Sequence, residues 1–498
     1  MELPKIMVSD KSIELKKWIT TSILILILAG SLYFRIRGLF WGDYQYLHPD
    51  ERFLIWVTAD ISSVDSVGDY FDTEFSSLNP HNRGHSFYVY GDFPVIFTRY
   101  ICESILENIS WNNITQIGRG LSVLFDLGSV FLVFLIGKKL FTEKIGLLAS
   151  AFSGFAVLQI QQAHYYTVDT FATFFSTMAV LIAVKIYKTN LDEKKINKPN
   201  LFQFHIPYPN LLLISGVFGI VVGIAAASKI NTIFVAILLP ISYFLLWNRY
   251  PNLDPVLKMG MITRDLIFGG FLAFLTFRIF QPYAFEGPGF FNIGLNPKWL
   301  SNIKEIGALA SGDVDYPPAL QWARRDILFA AKNITLWGLG IPMSISLWLG
   351  MILMGWKIIQ KNWKYSIIWI WTFGYFVWQS SVENPMMRYQ MPIYPLFALI
   401  TAWFIFYLIE FIHQKTVIKF TIQTIGYLLG LIAVVGTIIW ALMFTRIYNQ
   451  TNTRVAATEW IYGNVPGPIN LMIQTESGIK QEVLSVSYDY QINSVKPY

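Results

Sequence analysis

Long apolar runs separated by short polar stretches dominate the chain, and eleven of these runs approach twenty residues. That is the length a helix needs to cross a hydrocarbon core of roughly 30 Å. The pattern predicts spans near Trp18–Phe34, Leu121–Gly137, Ile145–Gln162, Thr170–Tyr187, Leu211–Ala227 and Ile233–Trp247. Further spans are predicted near Leu266–Phe280, Leu336–Trp356, Tyr365–Gln379, Pro392–Ile412 and Phe420–Phe444. Helices are required because lipid offers the backbone no hydrogen-bond partner. The expected fold class is therefore an all-α integral membrane bundle of about eleven transmembrane helices.

Charge tests the count independently, since basic residues concentrate in cytoplasmic loops. With the N-terminus inside, the inner segments collect Lys16, Lys17, Lys138, Lys139, Lys144, Lys185, Lys188, Lys357, Lys361 and Lys364. The short outer turns hold only Lys229 and Arg388. Residues 93–106 could disturb the parity, but Arg99, Glu103 and Glu107 recur every four positions along one side. That spacing predicts an amphipathic helix lying in the interface, charged face up. The division is then a transmembrane module over 1–445 and an extracytoplasmic tail over 446–498, with long outer loops at about 37–118 and 284–332. The tail alternates like strand around Ile469–Ile473 and Val483–Tyr488, and residues 190–209 read as a solvated inner connector.

Composition narrows the class. Only 14% of the 498 residues are charged and 54% are hydrophobic, and Cys102 is the single cysteine, so no disulfide stabilises the fold. A net charge of +6 would suggest nucleic acid in a soluble protein. Here it marks cytoplasmic loops, and no nucleic-acid partner is expected. The first apolar run is too long for a signal peptide and no cleavage site follows, so it is read as a retained helix in the inner or plasma membrane.

Charged groups near membrane depth are costly and mark function. Three clusters stand out on the outer face. His48-Pro49-Asp50-Glu51 has proline and carboxylates where a helix begins, which also suits an ordinary surface helix start. His164-Tyr165-Tyr166-Thr167-Val168-Asp169 fills the turn before the fourth span, where Asp169 could also serve as a helix cap. Arg119, Lys229 and Arg388 sit at outer ends of spans, where basic chains also snorkel to headgroups. Carboxylates that deprotonate a hydroxyl, together with cations that receive a departing phosphate, define a group transfer from a lipid phosphate.

The ordered set of motifs resembles the C-type (GT-C) glycosyltransferases that use lipid-phosphate sugars, particularly the branch similar to protein O-mannosyltransferases and the lipid A aminoarabinose transferase. Asp50-Glu51 matches that family's leading acidic pair, and residues 164–169 match its second acidic motif. Arg119-Gly120-Leu121-Ser122 matches its Arg-Leu-Ser helix start with one glycine inserted. Ala227-Ser228-Lys229 and Arg388-Tyr389-Gln390-Met391-Pro392 resemble two further turns. Tyr90-Gly91-Asp92-Phe93-Pro94, Pro317-Pro318-Ala319-Leu320-Gln321-Trp322 and Ala457-Thr458-Glu459-Trp460 resemble segments of one bacterial subgroup.

The resemblance implies inverting transfer of one sugar from a polyprenyl-phosphate carrier to a hydroxyl on a glycan, lipid or protein, outside the cytoplasm. Asp50 would be the general base with Glu51 positioning it, and Asp169 would lie beside the acceptor or shape the site. Lys229 and Arg388, with Arg119 and Tyr389, would hold the donor phosphate; His48 and His164 are candidates on the acceptor side. The chain carries no β-trefoil segment and no Trp-Trp-Asp motif, which argues against protein mannosylation and oligosaccharyl transfer. A transporter is the rival from another class, and a polysaccharide polymerase or ligase the rival nearest in chemistry. No obligatory cofactor or metal is expected, although Asp50, Glu51 and Asp169 could share a divalent cation. His81 and His85 have helical metal-pair spacing but lack a third ligand.

Overall fold

The computed structural model describes residues 10–191, 208–313, 321–322, 324–410, 417–464, 470–475 and 478–483. Most of the 190–209 connector, the Pro317–Leu320 segment and residues 484–488 lie outside the described residues.

Each expected span has a helix. Among the described residues, nine helices are long and apolar enough to cross a membrane, and a tenth span is a bent pair. The protein is an integral membrane protein. Ser366–Ser381, the remaining expected span, is only 16 residues long. At 1.5 Å per residue that is about 24 Å, short of a full hydrocarbon core. Several helices run past the apolar run that predicted them. Trp111–Leu140 begins ten residues before Leu121 because Ser110 accepts the Asn113 N–H and caps it there. Tyr394–Ile409 is apolar on every side and enclosed, with Tyr394 to Ile405 all buried. It packs on Glu143–Phe155, Ile341–Ile359 and Val417–Thr445, which is the environment an all-round apolar helix requires.

The third span is broken. Glu143–Phe155 and Val157–Ala163 meet at 57° because Ala156 adopts an extended backbone. The break frees carbonyls in the interior, and a polar network answers them. Arg35 donates to the Gly154 carbonyl at 2.7 Å and to Asp126 Oδ2 at 2.6 Å. Gln159 donates to Asp126 Oδ1 at 3.2 Å and accepts from Ser153 at 3.0 Å. Arg35, Asp126, Gln159 and Ser153 are all fully buried, so each charge survives only because the other is present.

Elsewhere small residues allow close helix approach. A methyl group on Gly219 would fall 2.0 Å from the Gly269 carbonyl oxygen, so Pro209–Ser228 and Pro255–Phe280 are backbone to backbone there.

Before the second span, Asp92–Ile105 is the expected amphipathic helix, with Phe93, Val95, Ile96 and Cys102 buried. Its charged side does more than face water. Arg99 pairs with Glu103 at 2.6 Å and also donates to the Thr58 and Ala59 carbonyls, satisfying the C-terminal end of Pro49–Asp60. Glu107 lies beyond the helix end. The two long loops join where Asn302, on helix Pro297–Ser311, donates to His81 Nε2 at 3.0 Å and to the Ser86 and Tyr88 carbonyls. His85 instead pairs with Asp60 at 2.9 Å, so the two histidines take different partners. In the tail, Asn470–Thr475 pairs antiparallel with Gly478–Val483, Asn470 opposite Val483. The second strand thus precedes the one expected from 483 onward.

Candidate active site

Helix Pro49–Asp60 begins as the sequence requires. His48 is its N-cap, with Nδ1 accepting the Glu51 N–H at 3.3 Å, and Pro49 occupies the first turn. Asp50 and Glu51 therefore lie at the positive end of the helix dipole. Asp169 lies in the first turn of Val168–Tyr187, but the N-cap there is Thr167, so capping is not its role. Lys229 is the junction residue between Pro209–Ser228 and the tighter Ile230–Ile237 turn. Arg388 and Tyr389 lie in the short helical turn Met387–Ile393 that leads into the central helix.

These segments bring three carboxylates onto three cations. Glu51 accepts two hydrogen bonds from Arg119, both 2.7 Å, and a third from the Tyr166 N–H at 2.8 Å. Lys229 Nζ meets Asp169 Oδ1 at 2.7 Å. Arg388 pairs with Asp50 Oδ2. The Tyr389 ring joins the last two pairs, 4.8 Å from Lys229 Nζ and 5.5 Å from the Arg388 guanidinium carbon. His48 stacks on Tyr165 at 4.4 Å, and Tyr165 in turn faces Arg119 at 5.9 Å.

The pairs differ in access. Side-chain exposure is 0% for Glu51 and 8% for Arg119, 3% and 16% for Asp169 and Lys229, and 18% and 19% for Asp50 and Arg388. Arg119 thus sits inside its helix, sealed by Glu51, rather than at an open mouth. Burial, with Arg388 and Arg119 nearby, pushes the His48 imidazole down to about 4, so it is neutral near pH 7.

His164 stands apart. Its ring nitrogens lie 2.8 Å from the Ile160 carbonyl and 3.0 Å from the Arg37 carbonyl, and its ring stacks on Tyr448 at 3.9 Å. It fastens the end of the broken span to the exits of the first and last helices. Burial lowers its pKa, and a neutral ring donates to only one of the two carbonyls.

Gly91 and Tyr165 complete the arrangement, and sequence reasoning gave neither a role. A methyl on Gly91 would fall 2.0 Å from the Ala227 carbonyl oxygen and 2.5 Å from that of Ser228. The Tyr90-Gly91-Asp92 segment thus packs directly beneath the Lys229 turn, and only glycine permits that contact. Asp126, a carboxylate inside an apolar run, was the visible signal for the buried Arg35 network. No group of three or more His, Cys, Asp or Glu residues is placed to hold a metal ion among the described residues.

The chain matches no family model and no curated protein sequence. Its structure is similar to that of the Archaeoglobus fulgidus oligosaccharyltransferase in the apo form, with a TM-score of 0.52 and 12% identity over 91% of this chain. The same enzyme, AglB, in complex with an inhibitory peptide and a dolichol-phosphate gives a TM-score of 0.51 at 11% identity, again over 91% of this chain. This chain spans 59% and 58% of those two chains. ArnT from Cupriavidus metallidurans bound to undecaprenyl phosphate aligns more loosely, with a TM-score of 0.43 and 12% identity over 83% of this chain and 78% of that one. The fold of this chain is the GT-C fold.

Proposed function

We propose that this protein is an inverting glycosyltransferase that moves one sugar from a polyprenyl-phosphate carrier to a hydroxyl acceptor on the extracytoplasmic face. The observation that supports this reading most is the convergence of Asp50, Asp169, Lys229 and Arg388 around Tyr389 at one end of an apolar bundle. The dolichol-phosphate held by AglB in a similar fold supports a lipid-phosphate donor.

Roles follow from access. Glu51 and Arg119, sealed against each other and against the Tyr166 N–H, form a brace that holds the start of helix Pro49–Asp60. Asp50 and Arg388 form the open pair. A donor phosphate, with charge to match the guanidinium, takes Arg388 from Asp50. Lys229 takes a second phosphate oxygen, and the freed Asp50 becomes the base. The acceptor hydroxyl then gives its proton to the Asp50 carboxylate while its oxygen bonds to the anomeric carbon from the far side. The carbon–oxygen bond to phosphate breaks with its electron pair going to the phosphate, where Lys229 and Arg388 meet the growing charge. The carboxylate is thus unmasked by the donor, which requires donor to bind before acceptor. Asp169 holds Lys229 in place for the phosphate.

The test is transfer from radiolabelled polyprenyl-phosphate monosaccharides by the purified protein in membranes, with a cell-envelope extract as acceptor. Label that reaches an acceptor supports the reading. Label that moves only from a lipid-linked oligosaccharide favours glycan transfer instead, and label that crosses the membrane unchanged favours transport.

A further inference from the structure

Beside the Glu51–Arg119 brace lies a cavity of about 290 Å³ that the transfer chemistry above does not use. Its walls come mainly from two distant parts of the chain, the first long loop at 41–49 and residues 452–454 after the last membrane helix, and are closed by Glu51, Arg119 and Tyr165. Trp41 Nε1 donates to the Gln450 carbonyl at 2.8 Å, and Arg37 donates to Asn449 at 3.0 Å, so loop and tail are fastened together. Pro49 and Glu51, the neighbours of Asp50, form part of the lining, whereas Lys229 and Tyr389 do not. The cavity therefore opens beside the base and away from the cations assigned to the donor phosphate.

The backbone around it is held in an unfavourable form. Asp43, Tyr44 and Tyr46 have φ of 52°, 55° and 47°, directly after Gly42 at 99°. Left-handed backbone is disfavoured for a non-glycine residue and persists where surrounding contacts over-determine it, as at ligand clamps. Those contacts are present. Tyr44 accepts from Gln116 at 2.8 Å, and Tyr46 is hydrogen-bonded to Asn112. The result sets aromatic rings, from Trp41, Tyr44 and Tyr165, beside the amide of Gln45 and the hydroxyl of Thr453. Among the described residues, the Arg454 guanidinium at the rim has no side-chain partner and is exposed.

We propose that this cavity binds one acidic sugar unit of the acceptor, with its ring against the aromatic wall and its carboxylate or phosphate on Arg454. The volume is at the small end of the roughly 300–1,000 Å³ found for ligand pockets, room for a single ring. Aromatic faces and a few polar groups are the lining a sugar requires, and a guanidinium forks onto either anion. A hydroxyl of that unit, or of the one attached to it, is thereby presented to Asp50. The proposal rests on the transferase reading for the acceptor's role, but not for the binding itself.

Binding of glucuronate, glucose 6-phosphate and glucose to the full chain in nanodiscs, measured by equilibrium titration, tests it. At least one acidic sugar is expected to bind the wild type at least ten-fold tighter than glucose. Arg454→Gln should erase that preference, and Thr453→Trp, which fills the cavity, should abolish binding of all three. Both positions are exposed, so both variants are expected to fold. In the transfer assay the same variants should raise the acceptor KM about ten-fold and leave the donor KM unchanged. No binding by the wild type, or equal binding by Thr453→Trp, overturns the proposal. Binding as expected without any transfer would overturn the transferase reading and leave the cavity assignment standing.

Discussion

Two carboxylate–guanidinium pairs, Arg35–Asp126 and Asp50–Arg388, use the same chemistry for opposite ends. In the first, both side chains have 0% exposure, and the pair closes the gap left by the broken third span. In the second, exposure is 18% and 19%, and the pair sits where the Met387–Ile393 turn meets the start of helix Pro49–Asp60. A sealed pair has no other partner available, so its charges serve only each other and the fold. An open pair can exchange one partner for a substrate anion. On the proposed function, access, more than charge, separates the structural ion pair from the chemical one.

The sharpest break of that comparison is Asp50→Asn. The amide keeps the shape and can still face Arg388, but it cannot accept the acceptor's proton. Loss of a general base typically costs about 100- to 10,000-fold in rate. Transfer should fall by that order while the thermal midpoint in detergent stays near that of the wild type. Normal turnover by Asp50→Asn would remove the base from this residue.

The sealed pair should respond the other way, in stability before activity. Asp126→Leu leaves Arg35 charged and buried, which costs about 3–5 kcal/mol. The double variant Arg35→Met with Asp126→Leu should recover most of that loss, since two apolar side chains need no mutual compensation. Thermal unfolding of the three proteins in one detergent decides it. A double variant no more stable than Asp126→Leu would show that the Gly154 carbonyl, not the charge, needs Arg35.

Donor affinity lies between. Lys229→Met removes a charge-assisted contact worth about 1.5–3 kcal/mol, so donor affinity should drop about 10- to 100-fold. Gly91→Ala should reproduce part of that loss without touching a charge, because its methyl displaces the carbonyls that set the Lys229 turn. Overpacking of this kind costs about 1–3 kcal/mol. Donor titration of both variants reads the effect, and an unaltered affinity in Gly91→Ala would release that glycine from any positioning role.

The apolar runs made the spans legible, and the lysines made a consistent set of sides. Period and charge cannot show that Ala156 breaks a run that contains no proline, because the cause is tertiary: Arg35 arrives from the first helix to take the freed Gly154 carbonyl, and Asp126 arrives from Trp111–Leu140 to hold Arg35 and Gln159. Six of the charged site residues were visible as charges on one face. Their partners were not. Arg119 looked available for a phosphate, yet Glu51, 68 positions away in sequence, occupies it with two hydrogen bonds. His164 shares a motif with Asp169 but points to the backbone carbonyls of Ile160, in the helix it ends, and of Arg37, just past the first helix. Which residues end up adjacent is decided by packing contacts such as Gly91 on Ala227, and a single sequence carries no trace of those.

Asp92 offers a third case that sharpens the comparison: a carboxyl as buried as Asp126 but, among the described residues, with no cation paired to it. Its surroundings are the Tyr283 N–H at 3.4 Å and the Gln281 amide, whose oxygen accepts the Asp92 N–H at 2.7 Å. Burial pushes the carboxyl up to about 8, against the downward pull of those two groups. Near pH 7 it is therefore mainly neutral, which is how a buried acid avoids an uncompensated charge. The unfolded chain releases this proton near 3.8, so between that value and about 8 the folded state binds more protons. Stability from this group is complete below the lower value and is lost as pH rises through the upper one. Between pH 7 and 8 the loss amounts to about 1 kcal/mol. Asp92→Asn cannot ionise and should not show it, so its thermal midpoint should gain on the wild type as pH rises across that interval. Parallel pH curves would mean that Asp92 is already charged, and that a partner for it sits at this junction of the two long loops.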